Sequence, residues 1–162
     1  MWRGSELGSA QEDVVQTGFA ALDAELPGGG WPVRSLIEVL QPQPSLCEWR
    51  LLGYSLRRLV EAGGQIVLVS PPKPPHLPGL LQHGLKAGQL VWLDARLPAE
   101  RLWSTEQLIK ANPSGAILAW LPQARNEQLR RLQVCAQSCE ALVFLFRPAA
   151  AQFDHSPAPL RV

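Results

Sequence analysis

Hydrophobic and polar positions alternate along this chain in blocks that change period. Ser35-Leu36-Ile37-Glu38-Val39-Leu40 reads as a buried strand, and a helix to about Glu61 follows it. Ser45-x-x-Glu48 supplies a capping box for that helix, whose apolar stripe is Trp49, Leu52, Leu56, Leu59 and Val60. Gly63-Gly64 ends it, and Gln65 to Ser70 makes a second strand, rich enough in β-branched residues to be covered on both faces. A Pro-rich loop over 71–75 and a short helix around Pro78 to His83 come next, then a strand from Leu90 to Asp94. A helix from Pro98 to Ala111 stops at Asn112-Pro113, since the residue before proline disfavours the helical region. Ala116 to Leu121, a helix from Asn126 to Cys139 and Leu142 to Phe146 complete the pattern.

Strands that are apolar throughout, alternating with helices, imply an α/β fold with right-handed crossovers. The expected architecture is a three-layer core with a mostly parallel central sheet flanked by helices. Three segments are expected: a flexible, Gly/Ser-bearing lead-in over 1–16, the domain proper over 17–148, and an Ala/Pro-rich tail over 149–162 that reads as truncated where another strand would begin. Within the domain, Thr17 caps a short helix to Leu26, and the Gly28-Gly29-Gly30 run is read as a turn rather than a phosphate loop, because a strand follows it.

Composition narrows the function. The 162 residues carry 15 Lys+Arg against 14 Asp+Glu, a formal charge of +1, and are only 18% charged, against roughly 25% in an average soluble domain. A near-neutral chain gives no simple electrostatic case for nucleic acid, although a local basic face would still serve. Low charge and arginine dominance favour a protein with interfaces, a homo-oligomer included. Cys47, Cys135 and Cys139 form no C-x-x-C, so they read as packing residues in a reducing cytoplasm. The N-terminus lacks an apolar signal region, and no apolar run approaches the roughly 18 residues a span needs. His76, His83 and His155 have no cysteine or acidic cluster beside them, so no metal is expected.

Thr17-Gly18-x-x-x-Leu22-Asp23, a Gly-rich turn, and Ser35 to Val39 together resemble the opening of the RecA recombinase core. That family continues with the phosphate loop G-x-x-x-x-G-K-[ST]. Here Gln41 and Leu46 stand at the two glycines, and Cys47 and Glu48 at the Lys and Ser/Thr. Pro42 and Pro44 have no N–H to offer a phosphate, and Glu48 brings negative charge to it. No carboxylate follows Val67-Leu68-Val69, and Trp120 stands where a metal-binding Asp is required. A pseudo-ATPase without cofactor or catalytic residue is the expectation.

Leu26 to Pro32, Ile37-Glu38, Ala119-Trp120-Leu121-Pro122, Arg130-Arg131-Leu132-Gln133 and Phe144 to Pro148 extend the resemblance over nearly the whole chain. They look like ImuA, the RecA-related accessory family of mutagenic lesion bypass, and share strands with SulA, the division inhibitor. The Gly-Gly-Gly-Trp-Pro turn and the Gly18 to Asp23 opening favour ImuA. That resemblance implies an SOS-induced adaptor in translesion synthesis that binds ImuB and RecA and supports an error-prone C-family polymerase. The alternative is a SulA-like inhibitor of the tubulin-like protein FtsZ. Interfaces favour Trp and Arg anchors, so Trp31, Trp103, Arg57, Arg58, Arg130, Arg131 and Arg147 are the candidate partner-binding residues.

Overall fold

The computed structural model describes residues 14–43, 48–73, 84, 86–111 and 113–162. Six strands form one sheet in the order β5-β4-β6-β7-β3-β8: β3 (Leu36–Gln41), β4 (Gln65–Val69), β5 (Leu90–Leu93), β6 (Gly115–Trp120), β7 (Leu142–Pro148) and β8 (Leu160–Arg161). Each neighbouring pair in it runs parallel. The α/β expectation with a mostly parallel sheet is met.

Helix α2 (Glu48–Glu61) covers one face, while α3 (Pro98–Ala111) and α4 (Asn126–Ala136) lie together on the other. Alternation along the strands divides the core. Ile37, Val39, Ile66, Leu68, Leu118, Phe144 and Phe146 face Leu52, Leu56 and Val60 of α2. Leu36, Val67, Val69, Ile117, Val143 and Leu145 face Ile109, Leu129 and Leu132 of the helix pair. A sheet covered on both faces needs such doubly apolar strands, which is why they read as unbroken hydrophobic runs. Gln133 of α4 ties the two layers together: its Oε1 accepts the Leu36 N–H at 2.8 Å, fixing the start of β3 against the helix.

A small outlying ribbon pairs β1 (Val14–Val15) antiparallel with β2 (Trp31–Pro32), on either side of α1 (Ala20–Glu25). The sequence reading put Val14 and Val15 in the flexible lead-in; both are strand. Thr17 opens the α1 segment through its Oγ1, which accepts the Phe19 N–H at 3.1 Å, while its own N–H donates to Asp23 Oδ1 at 3.0 Å. In the triple-glycine turn only Gly29 has a positive φ among the three, at +81°. Gly30 is required for a different reason: a Cβ there would stand 2.6 Å from the Val15 carbonyl oxygen across the ribbon.

The Pro159-Leu160-Arg161-Val162 end is built into the sheet. Leu160 and Arg161 pair with Ile37 and Glu38, and the Val162 N–H donates to the Glu38 carbonyl at 2.9 Å. A 3-10 turn over Ala149–Phe153 joins β7 to this last strand. The capping residue Ser45 and the helix expected at 78–83 lie outside the described residues.

Candidate functional site

Open parallel sheets place their sites at the C-terminal ends of the strands. Here that edge carries two distinct corners, one on each face of the sheet.

On the α2 face, Gln41 ends β3 and Glu48 begins α2, the positions aligned with the first glycine and the hydroxyl residue of a phosphate loop. Both are buried. Gln41 Nε2 donates to Glu48 Oε1 at 3.1 Å, and the Trp120 indole N–H points at the same oxygen from 3.4 Å. Trp120 stacks on Phe146, with centroids 4.7 Å apart and planes 17° from parallel. A carboxylate at the start of the helix with an indole beside it fills the corner and turns negative charge toward the place a phosphate would need donors. What space remains is a cavity of about 110 Å³, walled by prolines and by Trp120 and Phe146. Ser70, which follows β4, has φ +51° and is committed to structure. Its hydroxyl donates to the Ala95 carbonyl at 3.0 Å and accepts the Ala95 N–H at 2.9 Å. Leu46 and Cys47, the other two positions of the degenerate loop, lie outside the described residues.

On the α4 face, Glu38 sits in mid-strand and is fully buried. Its Oε2 lies 3.0 Å from Arg161 Nε and 3.7 Å from Arg147 Nη1, and Ser156 Oγ donates to its other oxygen. Arg147 Nη2 donates to the Ala124 carbonyl at 2.7 Å, whereas its Nε and Nη1 make no hydrogen bond. Arg161 reaches onward to the carbonyls of Ala151, Gln152 and Asp154. Above this network opens a cleft of about 460 Å³, lined by Ala124, Arg125, Asn126, Arg147, Phe153, Asp154 and His155.

The candidate anchors fall into different places. Trp31 is withdrawn from the surface: it is 0% exposed, meets Phe144 edge-on at 5.3 Å, and donates its indole N–H to Ser55 Oγ at 3.1 Å. Arg147 is likewise 5% exposed and serves the Glu38 network. Trp103 stays 64% exposed on α3, beside a groove between α3 and α4 that also contains Leu102, Gln128 and Leu132. Arg57 and Arg58 lie exposed on α2, Arg58 over the Tyr54 ring at 5.9 Å. Arg130 and Arg131 lie exposed on α4. Since α2 and α4 cover opposite faces, the two arginine pairs do not combine into one basic surface.

Arg131 is spent on an ion pair. Its Nε donates to Glu106 Oε1 at 2.7 Å, and Lys110 Nζ approaches the same oxygen at 3.2 Å. Burial pushes the Glu106 carboxyl up, but the hydrogen bonds and charges of Arg131 and Lys110 outweigh it and hold the group below the usual carboxylate range. Burial raises the Cys139 thiol, so it stays protonated and unreactive. Cys47, His76 and His83 lie outside the described residues.

The chain is 27% identical over 112 residues to the cell division inhibitor SulA of Photorhabdus laumondii subsp. laumondii, a match that covers 69% of this chain and 63% of that protein. The fold is similar to the crystal structure of SulA from Pseudomonas aeruginosa, with a TM-score of 0.57 and 24% identity over 69% of this chain and 96% of that one. The likeness is to SulA, not ImuA. No family profile matches the chain. The architecture is therefore a SulA-like α/β fold with a mostly parallel six-stranded sheet flanked by helices. The expected translesion adaptor, with ImuB, RecA and an error-prone polymerase as partners, is overturned by these similarities. The turn and opening that favoured ImuA do structural work in this chain: the glycines seat the β1–β2 ribbon, and Trp31 closes the core. No helix among the described residues is long and apolar enough to cross a membrane.

Sequence reasoning missed Glu38 as a hub, together with Arg125, Phe153 and Arg161. A carboxylate inside an otherwise apolar strand was the available signal for Glu38, because a buried charge requires a partner. The partners could not be read, since they come from residues more than 100 positions away.

Proposed function

We propose that this chain is a SulA-like inhibitor of cell division, produced in the SOS response, which acts by binding the tubulin-like protein FtsZ and performs no chemistry of its own. The observation that carries the reading is a SulA-like parallel sheet whose nucleotide corner is occupied by Glu48 and Trp120. A core with that corner filled has no phosphate cycle to drive motion. Its use is as a rigid body that presents surface to a partner, and an inhibitor that occupies a subunit's assembly face needs no more than that.

The test is induction of the chain in undamaged cells of its own host, with purified FtsZ assayed in parallel by sedimentation of its polymers. Expected are filamentous cells, FtsZ retained on the tagged chain, and less FtsZ in the pellet as the chain approaches equimolar amounts. Calorimetry with millimolar ATP and magnesium is expected to show no saturable heat. Cells that divide normally while the folded chain accumulates, with FtsZ not retained, would overturn the division reading. Saturable ATP binding would overturn the inactive corner.

A further inference from the structure

The cleft on the α4 face combines three features: surplus positive charge beneath it, an arginine at its rim whose guanidinium has no partner among the described residues, and an exposed aromatic residue on a hydrogen-bonded turn beside it. We propose that this cleft is the docking surface for a carboxylate-bearing segment of FtsZ, with the carboxylate against Arg125 and an apolar neighbour against Phe153. The proposal rests on the division-inhibitor reading and names the surface through which it acts.

The charge beneath the cleft centres on Glu38, which is fully buried. One buried carboxylate serves two guanidinium groups, Arg161 at 3.0 Å and Arg147 at 3.7 Å, so one positive charge is left over under the cleft. Buried charge without full compensation is costly, and an anion arriving from outside relieves it. Arg147 is itself part of the cleft wall. Arg125 adds a second positive charge at the rim, and its guanidinium has no hydrogen bond or ion pair among the described residues; its backbone alone is engaged, the N–H donating to Gln128 Oε1 and the carbonyl accepting the Leu129 N–H. Asp154 is the one carboxylate among the described residues that line the cleft, and it opposes this field. The balance favours an acidic visitor, and arginine matches a carboxylate better than lysine does because its donors form a planar fork.

Phe153 supplies the apolar half. It is 84% exposed, the most exposed of the large hydrophobic residues described. Such a side chain on a loose tail would bind weakly, since ordering it costs entropy. Here the backbone is held on both sides of the residue: Arg161 donates to the carbonyls of Ala151, Gln152 and Asp154, and the Asp154 N–H donates to the Ala151 carbonyl at 3.0 Å. Arg161 is in turn anchored on Glu38 in the core. An exposed aromatic residue on an ordered turn, next to an electropositive cleft, is the arrangement of an interface anchor with a charged neighbour.

The experiment measures the affinity of the full chain for FtsZ from the same host by biolayer interferometry, at low and moderate salt. Wild type is compared with Phe153→Ala, Arg125→Glu and Asp154→Asn. All three positions are exposed and none of these side chains holds the fold, and urea midpoints check that they remain folded. Expected is a loss of about tenfold or more in Kd for Phe153→Ala and for Arg125→Glu, the level that separates an anchor from a bystander. Asp154→Asn is expected to bind more tightly than wild type, and the salt dependence is expected to flatten in Arg125→Glu. If wild type binds FtsZ and the two charge variants do not move in opposite directions, or Phe153→Ala binds unchanged, the cleft is not the surface while the division reading stands. If wild type does not bind FtsZ at all, both fall.

Discussion

Replacing Arg161 by alanine removes the link between the last strand and the core, and its cost can be worked from the contacts. The side chain makes one charged hydrogen bond to Glu38 at 3.0 Å and three bonds to carbonyls, two within the 3-10 turn and one just after it. The carbonyls of Gln152 and Asp154 belong to exposed residues, where water replaces the guanidinium at little cost. Glu38 has no such recourse, being 0% exposed, and it would be left with Ser156 and the looser Arg147 contact. Removing one partner of a buried pair costs roughly 3–5 kcal/mol. Arg161 is 25% exposed and water can partly follow the truncation, so about 2–4 kcal/mol is expected. Urea unfolding read by tryptophan fluorescence measures this, and for a chain of this size it corresponds to a Tm lowered by roughly 4–16 °C. Arg161→Lys, which keeps the charge but not the fork, is expected to fall between. A double-mutant cycle with Glu38→Gln should give a coupling energy above about 1 kcal/mol. A loss of less than about 0.5 kcal/mol for Arg161→Ala, within the range of ordinary surface substitutions, would refute the account of Glu38 as a hub.

Two further outcomes follow from the core and the helix pair. The lowered Glu106 carboxyl contributes stability that is present above the unfolded value near pH 4.3 and is lost as pH falls through the folded value. Its partners Arg131 and Lys110 are 69% and 51% exposed, so the contribution is small, about 1 kcal/mol. Urea titrations of wild type and Glu106→Gln from neutral to acid pH should therefore converge at the acid end; a constant gap would contradict the ion-pair assignment. Trp31→Ala is expected to cost about 3–5 kcal/mol, as for a fully buried aromatic, with Trp31→Phe costing less because ring packing on Phe144 is partly kept. An unaffected urea midpoint for Trp31→Ala would return Trp31 to the surface as an anchor.

How much of the site was legible depends on the range over which each residue finds its partners. The departures from a phosphate loop could be read because the family's motif spans eight adjacent residues, and its first and last positions, Gln41 and Glu48, meet each other in the structure. That Trp120 joins them could not, because β6 reaches this corner only through the sheet order. The arginine pairs show the opposite limit. Charge on a helix surface is visible in sequence, but which side of the sheet the helix covers is not, and α2 and α4 turn out to be opposed.

By itself the sequence determined the larger elements, though not the two-residue strands β1, β2 and β8. Period and turn chemistry are local, so α2 ends at Glu61 and α3 spans Pro98–Ala111 where the pattern puts them. Doubly apolar strands likewise require a covered parallel sheet whatever its order. Tertiary structure alone decided what the polar exceptions are for. Leu160 and Arg161 have too short a run to show a strand signal, and they become β8 only because β3 offers an open edge and Glu38 a buried charge. The same contact fixes the turn that displays Phe153. Local pattern encodes secondary structure because neighbouring residues share one backbone geometry, whereas a buried carboxylate is satisfied by whichever distant cation the chain's path brings to it.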